Sequence, residues 1–145
     1  VQAFIPQNPN FEQMIKDKMA QNHFMNHLGF KPTLIEAGSV TGILEIQPEH
    51  KQQIGFLHGG VTATLADLAA GFAAFSLIKE NQTLVTIEMK VSYLNPGVGS
   101  HAKAVGSVIK IGQKMAFAEA EIYSQKNGIE TLIAKSSATY AILEL

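Results

Sequence analysis

No cysteine occurs anywhere in the chain. That excludes disulfides, thiolate nucleophiles and cysteine-based zinc sites. Arginine is missing too: all 11 basic residues are lysines. A bidentate guanidinium clamp is therefore ruled out, and a phosphate would have to be held by lysine or by backbone amides. Surplus charge is also lacking. A formal net charge of −1 leaves no electrostatic footprint for DNA, RNA or an anionic membrane, so neither nucleic acid nor membrane is expected as a partner. The first residues, Val1 to Asn10, carry two prolines and none of the cationic-then-apolar pattern of a secretory leader, which points to a soluble, cytoplasmic protein. There is no GxxxxGK phosphate loop, no GxGxxG turn after a strand and no GxSxG elbow. His23 and His27 stand four apart, as in a helical metal pair. Phe24 follows His23, so the glutamate of HExxH is missing and no third ligand is apparent. Neither a metal nor a cofactor is expected.

What remains is apolar and patterned. Hydrophobic residues make up 46% of 145 positions and charged residues 16%, enough for one domain with a real core. No repeat or interdomain linker divides it. A single domain over 1–145 is expected, with a helical segment over 1–30 and the main body over 31–145. Phe11, Met14, Ile15 and Met19 fall at helical spacing, Phe24 and Leu28 continue the stripe, and Gly29 is the stop. Asn10 with Gln13 resembles a capping box. Thr33 to Gln47 reads as extended chain with a bend at Gly38, and Val40, Leu44 and Ile46 share one face. Pro48 to Phe56 is polar and irregular.

Val61 to Ile78 is apolar nearly all round. It is just long enough to test as a membrane span, but Asp67 interrupts it, and a buried helix is the better reading. Four strands should follow. In Leu84 to Leu94, residues Val85, Ile87, Met89, Val91 and Tyr93 alternate with polar ones. His101 to Ile111, Met115 to Gln125 and Glu130 to Leu143 are the others, and Asn127-Gly128 signals a hairpin. Three of these strands carry a row of small residues at period two: Ala102, Ala104 and Gly106; Ala116, Ala118 and Ala120; Ala134, Ser136 and Ala138. Rows sharing a face would form a shallow floor that an alanine-rich helix could approach closely. An α+β fold is expected, an antiparallel β-sheet wrapped around one long central α-helix.

Asp67 is the one charged slot of that helix. A carboxylate there is costly unless it lies on a solvated strip, accepts a hydrogen bond from a neighbouring element or serves the chemistry. As the one charge in an apolar helix it points to the last. The helix entry, His58-Gly59-Gly60, is the second feature. Its first amides lack internal partners and sit at the positive end of the dipole, which suits a developing oxyanion. A plain turn before a helix would use the same glycines. Gly59 and Asp67 are eight residues apart, about 12 Å of helical rise, too far to serve one carbon within one chain. Two antiparallel helices across a two-fold axis would bring the acid of one to the glycine entry of the other, giving two sites per homodimer.

At this point the residues resemble a known family. GFLHGGVTATLADLAAGF, with Asp67 spaced from His58-Gly59-Gly60, is similar to the signature of PaaI-type hotdog-fold acyl-CoA thioesterases. HLGF at His27 to Phe30, PEH at Pro48 to His50, VTIEMKVSYLNP at Val85 to Pro96 and the turn at Gly112 to Lys114 extend the likeness over nearly the whole chain. The resemblance implies a hotdog fold, a homodimer paired into a homotetramer, and hydrolysis of acyl-CoA to free CoA and a carboxylic acid. It implies that the Gly59 amide polarises the carbonyl and that Asp67 is nucleophile or general base. Thr86 would help place water, and His58 would support the loop. Gln52 stands where many members carry Asn, presenting the same amide on a longer arm. Gly60, Lys90, Lys110 and Lys114 are candidate contacts for the CoA portion. CoA is substrate here, not cofactor. Such a mechanism needs no Ser-His-Asp triad, because a thioester carbonyl is electrophilic and a thiolate leaves well. The alternative is a non-catalytic acyl-CoA sensor on the same fold. A hotdog hydratase would need a histidine beside Asp67, and none is there. Acyl preference, CoA versus acyl carrier protein, and the nucleophile-or-base question lie outside what these residues specify.

Overall fold

Period-two alternation after the midpoint produces long strands, and the computed structural model, which describes residues 2–145, joins them into one six-stranded antiparallel sheet. The elements are α1 (Phe11–Gln21), α2 (His23–Leu28), β1 (Lys31–Glu36), β2 (Ser39–Glu45), α3 (Gly59–Phe75), β3 (Gln82–Tyr93), β4 (His101–Ile111), β5 (Met115–Lys126) and β6 (Ile129–Glu144). The sheet order is β1-β2-β4-β5-β6-β3, so β1 and β3 are its edges. The β5–β6 turn is made by Asn127 and Gly128, both at positive φ (52° and 75°), the conformation a two-residue hairpin needs.

The three rows of small residues do share a face. Gly106 stands opposite Ala120, and Ala120 opposite Ser136; Ala118 stands opposite Ala138. All are buried under α3. The approach is closest at Gly106, where a Cβ would come 2.1 Å from the Ala69 carbonyl oxygen and 2.2 Å from its carbon. Those are helix backbone atoms and cannot rotate aside. Gly106→Ala is therefore expected to destabilise the fold by about 3 kcal/mol, the upper range for overpacking, seen as a lowered urea midpoint at unchanged m.

Ile15, Met19 and Met25 from the first two helices join the core that α3 forms with the sheet, alongside Phe30, Val40 and Leu44. Several local expectations need correcting. The N-terminal helix is two helices, broken at Asn22, whose side chain accepts the Met25 amide and starts α2 afresh. Asn10 makes no side-chain cap; its own amide goes to Asn8 Oδ1, and Gln13 turns to Asp17 instead. Beyond the break Phe24 leaves the stripe and is 61% exposed. Gly29 ends α2 in the left-handed region, as expected for a helix stop. The central helix starts two residues earlier than Val61 and stops at Phe75. There the Ser76 hydroxyl donates to the Ala73 carbonyl and accepts the Gly38 amide, so the chain turns. No helix among the described residues is long and apolar enough to cross a membrane.

The largest correction lies in β3. Its register against β6 slips between Thr86 and Glu88, leaving Ile87 as a bulge. Tyr140 and Ala138 of β6 are buried toward α3, and they pair with Thr86 and Met89 respectively. The strand thus changes face at the bulge. Met89, Val91 and Tyr93 share the helix side, while Val85 pairs with Ala141 in the outward-facing row. An unbroken alternation would have put Thr86 and Met89 on opposite faces.

Candidate active site

The segment before α3 is held by one histidine. His50 is 5% exposed; its Nδ1 accepts the Gln47 amide at 3.0 Å and its Nε2 donates to the Leu28 carbonyl at 2.8 Å. Its own carbonyl accepts the His58 amide at 2.8 Å. One ring thereby ties the end of α2 to the chain leading into α3, a role that the PEH segment does not reveal by its sequence. His50→Ala would leave a buried donor and acceptor unmatched, and a loss of about 1–3 kcal/mol is expected, measurable by urea denaturation.

His58 is the N-cap of α3. With φ −64° and ψ 136° it is extended, and its Nδ1 accepts the Gly60 amide at 2.8 Å. Its carbonyl takes the amides of Val61 and Thr62 at 3.0 and 3.1 Å. The Gly60 amide is therefore engaged, while the Gly59 amide has no hydrogen-bond partner among the described residues. The Tyr93 hydroxyl donates to the Gly59 carbonyl at 2.8 Å and fixes that peptide from the sheet side. Gln52 shares a cleft of about 380 Å³ with Gly59, Tyr93 and Pro96. Its side-chain oxygen accepts the Ile54 amide, which leaves its NH₂ free to donate.

Asp67 sits two turns further on, half-buried. Its Oδ1 accepts from the Thr86 hydroxyl at 3.0 Å and from the Tyr140 hydroxyl at 3.2 Å. Oδ2 has no partner among the described residues, and Asp67 takes part in none of the ion pairs there. Burial first, and the Asp67 charge second, push the Tyr140 phenol well above its ordinary range. It remains an O–H donor across the neutral range. The carboxylate opens onto two adjoining clefts. One, of about 240 Å³, is walled by Leu68, Phe72, Phe75 and Leu84; the other, of about 380 Å³, by Phe24, Ala63 and Met89. Asn22, at the break between the first helices, lines both.

Within one chain the structure brings Asp67 together with Thr86, and Gln52 with Gly59, and keeps the two pairs in separate clefts with no lining residue in common. Lys90 and Lys110 pair with Ser137 and Phe117, on the sheet face turned away from α3. Lys114 lines a different groove, beside Ile111, Ile142 and Glu144. His23 and His27 lie on α2, and no group of three or more His, Asp or Glu is placed to hold a metal among the described residues. Tyr140 is the site residue that sequence reasoning misses, although it extends the period-two row Ala134, Ser136, Ala138 onto the helix face.

A six-stranded sheet wrapped on one long helix is the hotdog architecture, and that helix carries the Asp67 carboxylate and the unengaged Gly59 amide in separate clefts. Comparison with known proteins supplies the family. The Thioesterase superfamily profile matches residues 54–131. Acyl-coenzyme A thioesterase 13 of Homo sapiens is 30% identical over 133 residues, covering 90% of this chain and 92% of that protein. The medium/long-chain acyl-CoA thioesterase YigI of Escherichia coli (strain K12) is 32% identical over 99 residues, 59% of this chain and 62% of that one. The chain spans 57% of the length of a relative from Caenorhabditis elegans. A thioesterase family protein from Silicibacter pomeroyi, known from its crystal structure, superposes with a TM-score of 0.92 at 34% identity, over 93% of this chain and 99% of that one. The chain belongs to the thioesterase superfamily; its enzyme class is thioester hydrolase.

Proposed function

We infer that the protein hydrolyses acyl-CoA thioesters at a site shared between two copies of the chain, with Asp67 as nucleophile or general base and Gly59 of the partner subunit as oxyanion donor. The observation that carries this reading is the state of the Asp67 carboxylate. One oxygen is pinned by two hydroxyls, the other has no partner among the described residues, and Asp67 lines an apolar cleft and joins no ion pair there.

The edge strand supports a homodimer. β3 has twelve residues and no neighbour on its outer side among the described residues, and it exposes Val85 (47%) and Ile87 (55%). A long apolar edge of this kind calls for a partner. Pairing two β3 edges about a two-fold axis would continue the sheet and lay two α3 helices antiparallel, so that each acid half-site meets an amide half-site. A second apolar patch lies on the sheet face away from α3, where Met115, Phe117 and Ile109 are exposed. It suits pairing of dimers into a homotetramer. Names of relatives favour CoA as the thiol component, which fits a cytoplasmic setting. Gln52, beside Gly59, would donate a second hydrogen bond near the carbonyl, and His58 would hold the loop.

The reaction then needs only these parts. A carbonyl polarised by the Gly59 amide is attacked either by Asp67 Oδ2 or by water that Oδ2 deprotonates, and the thiolate departs. In the first case water then hydrolyses the acyl–Asp67 anhydride, which releases the carboxylic acid and restores the carboxylate. The test is release of free thiol from acyl-CoAs of aryl, short, medium and long chains. Turnover with at least one class is expected. Tight binding without turnover of any would favour the sensor instead.

A further inference from the structure

Two hydroxyls reach Asp67, from residues directly opposite each other on the β3–β6 ladder, Thr86 and Tyr140. Both end on the same oxygen. We propose that Tyr140 is a positioning residue for the reacting carboxylate: with Thr86 it fixes Oδ1, and so aims Oδ2 at the substrate carbonyl. This rests on reading Asp67 as the reacting group.

The χ2 torsion of an aspartate is broad and two-fold, so an unrestrained carboxylate swings between its oxygens. A single donor from Thr86 would limit that motion without specifying the plane. A second donor on the same oxygen does specify it. Tyr140 is suited to this. Its ring is 2% exposed and lies along α3, where a Cβ on Gly71, one turn beyond Asp67, would meet Tyr140 Cε1 at 3.5 Å. Its hydroxyl also lies 3.4 Å from the Asp67 carbonyl oxygen, so side chain and main chain of one residue are gauged by one phenol. The bulge at Ile87 completes the arrangement by turning Thr86 to the helix side. A phenol that only filled the core would have no need to converge with a second hydroxyl on one carboxylate oxygen.

The experiment is steady-state kinetics of thiol release by the full chain carrying Tyr140→Phe, Thr86→Val or both. Each single change is expected to lower kcat on the order of tenfold, the worth of a hydrogen bond to a charged group, with KM within about twofold. The pair should lose less than the product of the singles, because the plane is specified only while both hydroxyls hold Oδ1, so removing either already forfeits most of that restraint. Replacing Tyr140 by 4-aminophenylalanine, which keeps the ring and a donor, should restore kcat even if Tyr140→Phe folds poorly. The proposal is overturned by Tyr140→Phe with kcat within twofold of the parent, by strictly multiplicative losses, by a loss carried in KM, or by failure of the amino analogue to restore rate in a folded protein. An active Asp67→Asn variant would sink the site reading itself. An inactive Asp67→Asn beside a fully active Tyr140→Phe would sink only the role of Tyr140.

Discussion

Asp67→Asn is expected to remove thioester cleavage while leaving the fold intact. The asparagine side chain has the same shape, and its carbonyl oxygen can still accept from Thr86 and Tyr140, which hold the carboxylate at 3.0 and 3.2 Å. Thermal melting should therefore change little. What disappears is the negative charge on the unpartnered oxygen. An amide NH₂ in that place can neither attack a carbonyl nor deprotonate water. A drop in kcat of roughly 10²–10⁴-fold follows if the carboxylate is a general base, and a nucleophile would lose at least as much. Single-turnover reaction in ¹⁸O-labelled water tests the nucleophile role, since water that opens an anhydride at the Asp67 carboxyl carbon leaves its label there. Label enters the Asp67 side chain only if that side chain formed an anhydride. Wild-type turnover by Asp67→Asn would end the case for this carboxylate.

The second large effect is expected from Gly59→Pro. Most substitutions at Gly59 would keep the backbone amide that is proposed to bind the oxyanion; proline removes it. Position 59 is the first residue of α3, where proline is well tolerated because the N–H has no helical partner. The preceding residue must be extended, and His58 already is, at φ −64° and ψ 136°. The ring would sit near Tyr93, whose atoms would stand no closer than 3.4 Å to a Cβ at position 59. The protein should therefore fold. Loss of one oxyanion donor is expected to cost about 10²–10³ in kcat. Mixing this variant with Asp67→Asn tests the shared site. In a mixed dimer one site carries both defects and the other carries neither, so two inactive proteins should recover about a quarter of wild-type activity after random reassortment. No recovery, with subunit exchange demonstrated, would mean that acid and amide act within one chain.

Most of the scaffold was legible in the residues. The Ala102, Ala116 and Ala134 rows pointed to a shallow sheet face. The alanine-rich helix pointed to what lies on that face. Asp67 drew notice because burial of a lone carboxylate demands a reason. These features repeat with the period of their own element, so they can be read without knowing any partner. The break in the N-terminal helix is less legible. Apolar spacing continued through Asn22, and nothing local announced that its side chain would cap a new helix.

Composition, period and spacing are sufficient for the wrapped-helix architecture and the buried rows, and they single out Asp67 and Gly59 as candidates, because each depends on residues close together along the chain. The bulge at Ile87, the arrival of Tyr140 from 73 residues away and the diversion of the Gly60 amide to His58 depended instead on how distant or neighbouring segments settle in space. Strand register and side-chain hydrogen bonding are fixed by the competition among all packed elements at once, and a one-residue slip exchanges the two faces of a strand. That slip is what turns Thr86 toward the acid.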